Sequence, residues 1–105
     1  MRAGRLRHRG VIEEKAVSRD AYGAEAVTWT EVATGWMGVE RVGGREWFQA
    51  QGMQAEVTAR LRMRYRAGVR PEMRVRVNGH TYDIVTVIDV QERGRELEVM
   101  VREIQ

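Results

Sequence analysis

Residues 55–66 read AEVTARLRMRYR, and their alternation decides the fold. Val57, Ala59, Leu61, Met63 and Tyr65 fall on one face, and Thr58, Arg60, Arg62, Arg64 and Arg66 on the other. Period two is the repeat of a half-buried β-strand, because successive side chains leave a strand on opposite faces. On a helix these arginines would scatter around the cylinder. On a strand, Arg60 to Arg66 make one stripe about 20 Å long at ~3.4 Å per residue.

The same rhythm continues downstream. AGVRPE, residues 67–72, is a turn with Gly68 and Pro71. Met73, Val75 and Val77 then alternate with Arg74 and Arg76. Asn78-Gly79 follows, and it is a strong hairpin signal because a type I′ turn needs positive φ at both central residues. The return strand, Thr81 to Val90, carries Tyr82, Ile84, Val85, Val87 and Ile88 and is apolar on both faces near its middle. Glu92-Arg93-Gly94-Arg95 is a second turn, and Glu96 to Glu103 is a last strand with Leu97, Val99 and Val101 inward.

Upstream the pattern is looser. Leu6 to Ala16 reads as a strand, with Gly10 inviting a bulge. Asp20-Ala21-Tyr22-Gly23 is turn chemistry. Ala26 to Glu40 reads as two strand pieces broken near Ala33 to Gly35, with Trp29 and Trp36 in the core. One stretch, residues 41–56, departs from the rhythm. It opens on Gly43-Gly44, and REWFQAQ within it has good helix formers and no alternation. It is expected to be a loop with about two turns of helix. The fold class is therefore all-β: a small antiparallel β-barrel or sandwich of six to seven strands, with one irregular, partly helical insert at about residues 41–56. A chain of 105 residues is expected to form a single domain, residues 1–105.

Composition narrows the function. The chain has no cysteine, so disulfides, thiolate metal sites and a cysteine nucleophile are excluded. The stretch MRAGRLRHRGVIEE has no apolar run behind its basic residues and predicts no signal peptide. No apolar run approaches the ~20 residues of a membrane-spanning helix. Net charge is +3, and of eighteen basic residues only Lys15 is lysine. Arginine suits bidentate contact with phosphate and carboxylate.

Catalytic candidates are few. His8 and His80 sit in no metal-ligand spacing, and His80, just after Asn78-Gly79, reads as an exposed turn residue. No P-loop, dinucleotide fingerprint or nucleophile elbow is present. Asp83 and Asp89 share a strand face but stand roughly 20 Å apart, too far for a glycosidase pair. Glu13 and Glu14 point to opposite strand faces. The chain is read as a non-enzyme with no metal and no cofactor.

Two features stand out as candidate sites. Arg60, Arg62, Arg64 and Arg66 form an arginine-rich face, and Arg74 and Arg76 on the next strand are further candidates for contact with DNA or a neighbouring subunit. The face is either a solvated sheet face paired to acids such as Glu96 and Glu98, or a wall facing DNA phosphates or a neighbouring subunit. The insert places Gly43, Gly44, Arg45, Glu46, Trp47 and Phe48 together. Its adjacent aromatics either cap an open barrel end or contact another protein.

Several segments, in order along nearly the whole chain, resemble the head–tail joining (head-closure) proteins of tailed bacteriophages. They are LRHRGVIEE; Asp20, Tyr22, Gly23 and Trp29; VATGWMGVE; Gly44-Arg45-Glu46-Trp47-Phe48; AEVTARLRMRYR; Gly68, Pro71, Met73 and Arg74; GHTYDI; and ELEV. Gly10 departs from the pattern, where a β-branched residue is more usual. The resemblance implies a virion structural protein, made in the host bacterial cytoplasm. It implies a ring below the portal, dodecameric in the particle and monomeric alone, which closes the DNA exit channel and docks the tail. The implied partners are the portal or adaptor ring, tail completion proteins, further copies of the chain and packaged double-stranded DNA, held non-specifically; no membrane is implied. The insert, carried over by position as Arg41 to Glu56, would plug the channel. The competing reading is a small β-barrel nucleic-acid-binding module that uses the arginine-rich face.

Overall fold

Period-two patterning is realised as an all-β architecture in the computed structural model, which describes residues 6–50 and 53–104. The strands are β1 (His8–Arg19), β2 (Glu25–Ala50), β3 (Met53–Arg64), β4 (Arg74–Val77), β5 (His80–Asp89) and β6 (Glu96–Glu103). A 3-10 turn, Val90–Glu92, joins the last two. All pairs are antiparallel, and the sheet closes on itself in the order β1-β2-β3-β6-β5-β4. Closure removes the open edges that a flat six-stranded sheet would present.

The barrel interior is filled by the inward side of the alternation. Ala59, Leu61, Val75, Val99 and Val101 are fully buried, and Met63, Met73, Val77, Tyr82 and Leu97 nearly so. Each large aliphatic side chain buried there contributes about 1.5–3 kcal/mol. Asn78 and Gly79 adopt φ of 55° and 76°, as the type I′ turn requires. Gly10 has a packing reason: a Cβ there would lie 2.3 Å from Sδ of the buried Met37. Met37 takes the volume that a β-branched residue at position 10 would fill. A second, smaller cluster joins Val57, Val85 and Met100, with Val42 against it.

The fold differs from the sequence expectation in three ways. β2 is one continuous strand of 26 residues, not two pieces broken near Ala33 to Gly35. The irregularity is a bulge instead: Ile12 pairs Ala33 and Glu13 pairs Glu31, leaving Val32 as the extra residue. Second, the segment 41–56 is not helical. Trp47 pairs Glu56, Phe48 pairs Ala55, Gln49 pairs Gln54 and Ala50 pairs Met53, so it forms a β-ribbon. Two turns of helix are marginal on their own, and antiparallel pairing with the adjacent strand overrides that weak propensity. The irregular part is confined to a register shift between Arg41 and Glu46, where Gly43-Gly44 lies. Residues 51 and 52, and the side chains of 43–50 and 53–55, lie outside the described part of the structure. Third, Tyr65 is not inward. β3 ends at Arg64, and Tyr65 is 46% exposed.

A straight strand of the length of β2 would span roughly 85 Å, yet the molecule measures 50 × 27 × 27 Å. β2 therefore bends, and its two bulges are where the ladder permits bending. The strand overshoots the barrel at both ends. With β1 it forms one two-stranded arm, and with β3 another.

Candidate interaction surfaces

The arginines of the outer face divide into three groups. On β3, Arg62 lies opposite Glu98 of β6 and Arg64 opposite Glu96. Arg62 stands 3.8 Å from Glu96 and 3.9 Å from Glu98, and Arg60 3.9 Å from Glu98. These are long, partly exposed pairs worth about 0–1 kcal/mol each. Their consequence is charge balance: two acids answer two arginines. Arg64 and Arg66, further along, have no acid within bridging distance among the described residues. Arg66 also lies beyond the end of β3.

Arg74 and Arg76 belong elsewhere. β3 and β4 sit three places apart in the closed sheet, so the six arginines do not form one patch. On β4, Arg74 is the cross-strand partner of Glu13 on β1. Arg74 Nε donates to Glu13 Oε1 at 2.6 Å, and Arg76 Nε stands 3.1 Å from the same oxygen. The Glu13 side chain is only 7% exposed. Burial pushes its carboxyl pKa up, but the hydrogen bonds and charges of Arg74 and Arg76 outweigh that and hold it below the ordinary value. Beside it, the Arg74 guanidinium lies 4.1 Å from the Trp29 ring centroid. Trp29 is thus half-buried at the arm's root rather than in the core. Next to the same seam, Arg70 binds Glu14.

Two further features were missed by sequence reasoning. At one barrel end, Arg41, His80 and Glu103 meet. His80 Nδ1 lies 2.8 Å from Glu103 Oε2, His80 Nε2 lies 3.3 Å from Arg41 Nη2, and Arg41 Nη1 stands 3.3 Å from Glu103. The hydrogen bond with His80 is the main cause that holds the Glu103 carboxyl below its ordinary value. Tyr82 lies beneath, its ring 6.1 Å from that of His80, and burial pushes its phenol up. His80 is therefore a half-buried, partnered residue, not a freely exposed one. No local signal links Arg41 to residues some forty and sixty positions away.

At the other end, a groove of about 250 Å³ opens between β2 and the end of β3. Its lining includes the buried Met37 and Met63 and the exposed Trp36, Tyr65, Arg64 and Arg66. Trp36 is 54% exposed rather than core, because the bulge at Val32 leaves Met37 as the inward residue of this stretch. Arg9 stacks on it at 5.6 Å. Among the described residues no group of three or more acidic or histidine side chains is arranged to hold a metal ion.

A closed six-stranded antiparallel barrel with two ribbon arms and ion-paired outer faces defines a class of small β-barrel whose conspicuous features are contact surfaces. Residues 1–104 match the family of phage head completion proteins, and the chain belongs to that family. Its fold is shared with protein SF1141 from Shigella flexneri 2a, known from a solution structure, at 28% identity and a TM-score of 0.71 over 98% of this chain and 96% of that one. It is shared too with a chain in the virion of a native gene transfer agent particle, at 22% identity and a TM-score of 0.67 over 95% and 96% of the two chains. No curated protein matches. The protein is a structural component of the phage head and so of the virion.

Proposed function

We propose that this chain is a subunit of the head–tail connector, forming a ring below the portal that closes the DNA exit channel and docks the tail. The observation that carries this reading is membership of the head completion family over residues 1–104, on a barrel with an arm at each end. A chain of the same fold in a gene transfer agent virion supports it. A ring repeats one pair of unlike surfaces around an axis, and two arms with different ends supply unlike surfaces. The β2–β3 arm, which contains Gly43, Gly44, Arg45, Glu46, Trp47 and Phe48, is the segment that would reach toward the channel. The chain acts by contact and carries out no catalysis.

The arginine-rich face contributes unevenly in this reading. Arg60, Arg62, Arg74 and Arg76 stand within ion-pair distance of acids of their own chain. Arg64 and Arg66 remain for DNA phosphates or for a neighbouring subunit. The same division weighs against a free nucleic-acid-binding module, because a phosphate wall needs cations not already neutralised.

Deletion of the gene in the producing strain, followed by negative-stain electron microscopy, tests the proposal. The expected result is tails separated from heads, with heads empty or leaking DNA. Normally joined, DNA-filled particles would sink it. Salt-dependent DNA affinity of the purified monomer would then favour the free-binder reading.

A further inference from the structure

The arm formed by β1 and β2 ends in an unusual residue. Tyr22, at the tip, is 96% exposed. The turn that carries it is firmly built. Asp20 Oδ1 accepts hydrogen bonds from the backbone N–H of Tyr22 at 2.8 Å and of Ala24 at 3.0 Å. Gly23 N–H donates to the Asp20 carbonyl at 3.1 Å with φ at 81°, and Arg19 pairs with Glu25 at 3.0 Å. A large aromatic is thus held out on a pre-organised tip, which reduces the ordering cost of binding. The arm itself is unfinished. Beyond Glu13, β1 pairs only with β2, and before Met37, β2 pairs only with β1. Val17 and Val27, paired across it, are each about half exposed. A lone two-stranded ribbon is marginally stable in water.

We propose that the arm tip of one copy docks, Tyr22 first, into the Trp36–Tyr65 groove of a second copy. The groove suits a phenol ring. Its lining combines buried methionines, exposed aromatics and exposed arginines, and a Cβ built at Gly35 within it meets nothing within 4 Å. Guanidinium groups over aromatic faces are favourable. The charges match: Arg64 and Arg66 have no acid partner in their own chain among the described residues. At the tip, Arg19 and Glu25 offset each other and Asp20 remains. The occupant must come from another copy, because the groove adjoins the root of the arm at Ile12 and Ala33. A ribbon paired throughout does not fold back onto its own root. Its paired length from Glu13 to Arg19 is about 20 Å at ~3.4 Å per residue, and the Tyr22 turn projects beyond that. The molecule is 27 Å wide, so the tip reaches one subunit over. The contact joins two different patches, the kind of interface that builds a ring when its rotation closes. The inference rests on the connector reading and specifies its subunit contact.

Because the chain has no cysteine, site-directed cross-linking is clean. Particles carrying Ala21→Cys with Gly35→Cys are treated with a short bismaleimide and run on a denaturing gel. The expected product is a ladder from dimer upward. Either single variant is expected to give dimers at most. Adding Tyr22→Ala to the pair is expected to reduce the ladder at least tenfold. Joined particles that contain the double variant as uncross-linked monomer overturn the docking and leave the connector reading standing. Absence of the protein from parent particles overturns the connector reading instead. The purified double variant at high concentration then decides the docking alone: a ladder keeps it and monomer ends it.

Discussion

Glu13 and Arg74 lock the seam at which the barrel closes: the carboxylate, nearly excluded from water, accepts a 2.6 Å hydrogen bond from the arginine Nε. β1 and β4 pair over only four residue pairs, Gly10 with Val77 through Glu13 with Arg74. A short ladder leaves much of the closure to side chains. Arg76 adds a second contact on the diagonal, and Trp29 covers Arg74.

Removing the acid should therefore loosen the seam. Glu13→Ala is expected to cost about 1–3 kcal/mol, since Arg74 loses a charged hydrogen-bond partner at a partly buried site. Urea denaturation of the purified protein measures it. An unchanged midpoint would mean that the seam is held by the backbone ladder alone.

The same pair sets a pH dependence. The folded-state pKa of Glu13 is lowered from its ordinary 4.5, so the unfolded chain binds the proton more readily. The contribution is fully present above 4.5 and is lost as pH falls through the folded-state value. Stability should decline with acid below that point, and Glu13→Gln should flatten this part of the decline. Thermal melts between neutral pH and pH 3 would show it.

Gly10 and Met37 compete for one volume. Gly10→Val is expected to destabilise by about 1–3 kcal/mol through overpacking. Combined with Met37→Ala it should regain at least half of that loss, because the new methyls enter the vacated space. Denaturation midpoints of the three proteins decide; a double variant worse than the sum of both singles would refute the shared volume.

Glu72 holds φ at 80° after Pro71, in a turn closed by Met73 N–H donating to the Arg70 carbonyl at 3.3 Å. A residue with a Cβ is disfavoured in this conformation, and glycine is preferred. Glu72→Gly should stabilise by about 0.5–1 kcal/mol, a rise of a few degrees in Tm for a chain of this size.

The outer arginines should separate into structural and functional groups. Arg62→Glu opposes Glu96 and Glu98 directly and should cost about 1 kcal/mol of stability. Arg64→Glu with Arg66→Glu should leave Tm within a degree or two, yet reduce the yield of joined, DNA-filled particles. If that pair assembles normally, these arginines face neither DNA nor a neighbour.

Much of this protein is legible in its residues alone. The inward faces of β3, β4 and β6, the Asn78-Gly79 turn and the all-β class follow from alternation and turn chemistry, which act over a few residues. Leu61, Val75 and Val99 are buried because period two puts them on the same face of each strand as their apolar neighbours. The head completion family was legible too, through a collinear series of short segments.

Other features depended on pairing between distant strands. REWFQAQ has helical propensity, but the ladder with β3 outweighed it. Val32 became a bulge only because β1 lies opposite in a particular register, and that register placed Trp36 on the surface and Glu13 beneath two arginines. Whether an arginine is neutralised depends on which acid lies across the sheet: Glu96 and Glu98 for Arg60 and Arg62, and none among the described residues for Arg66. Alternation sets which face a side chain takes. Register, bulges and closure decide what that face meets, and those are settled only when the whole sheet forms.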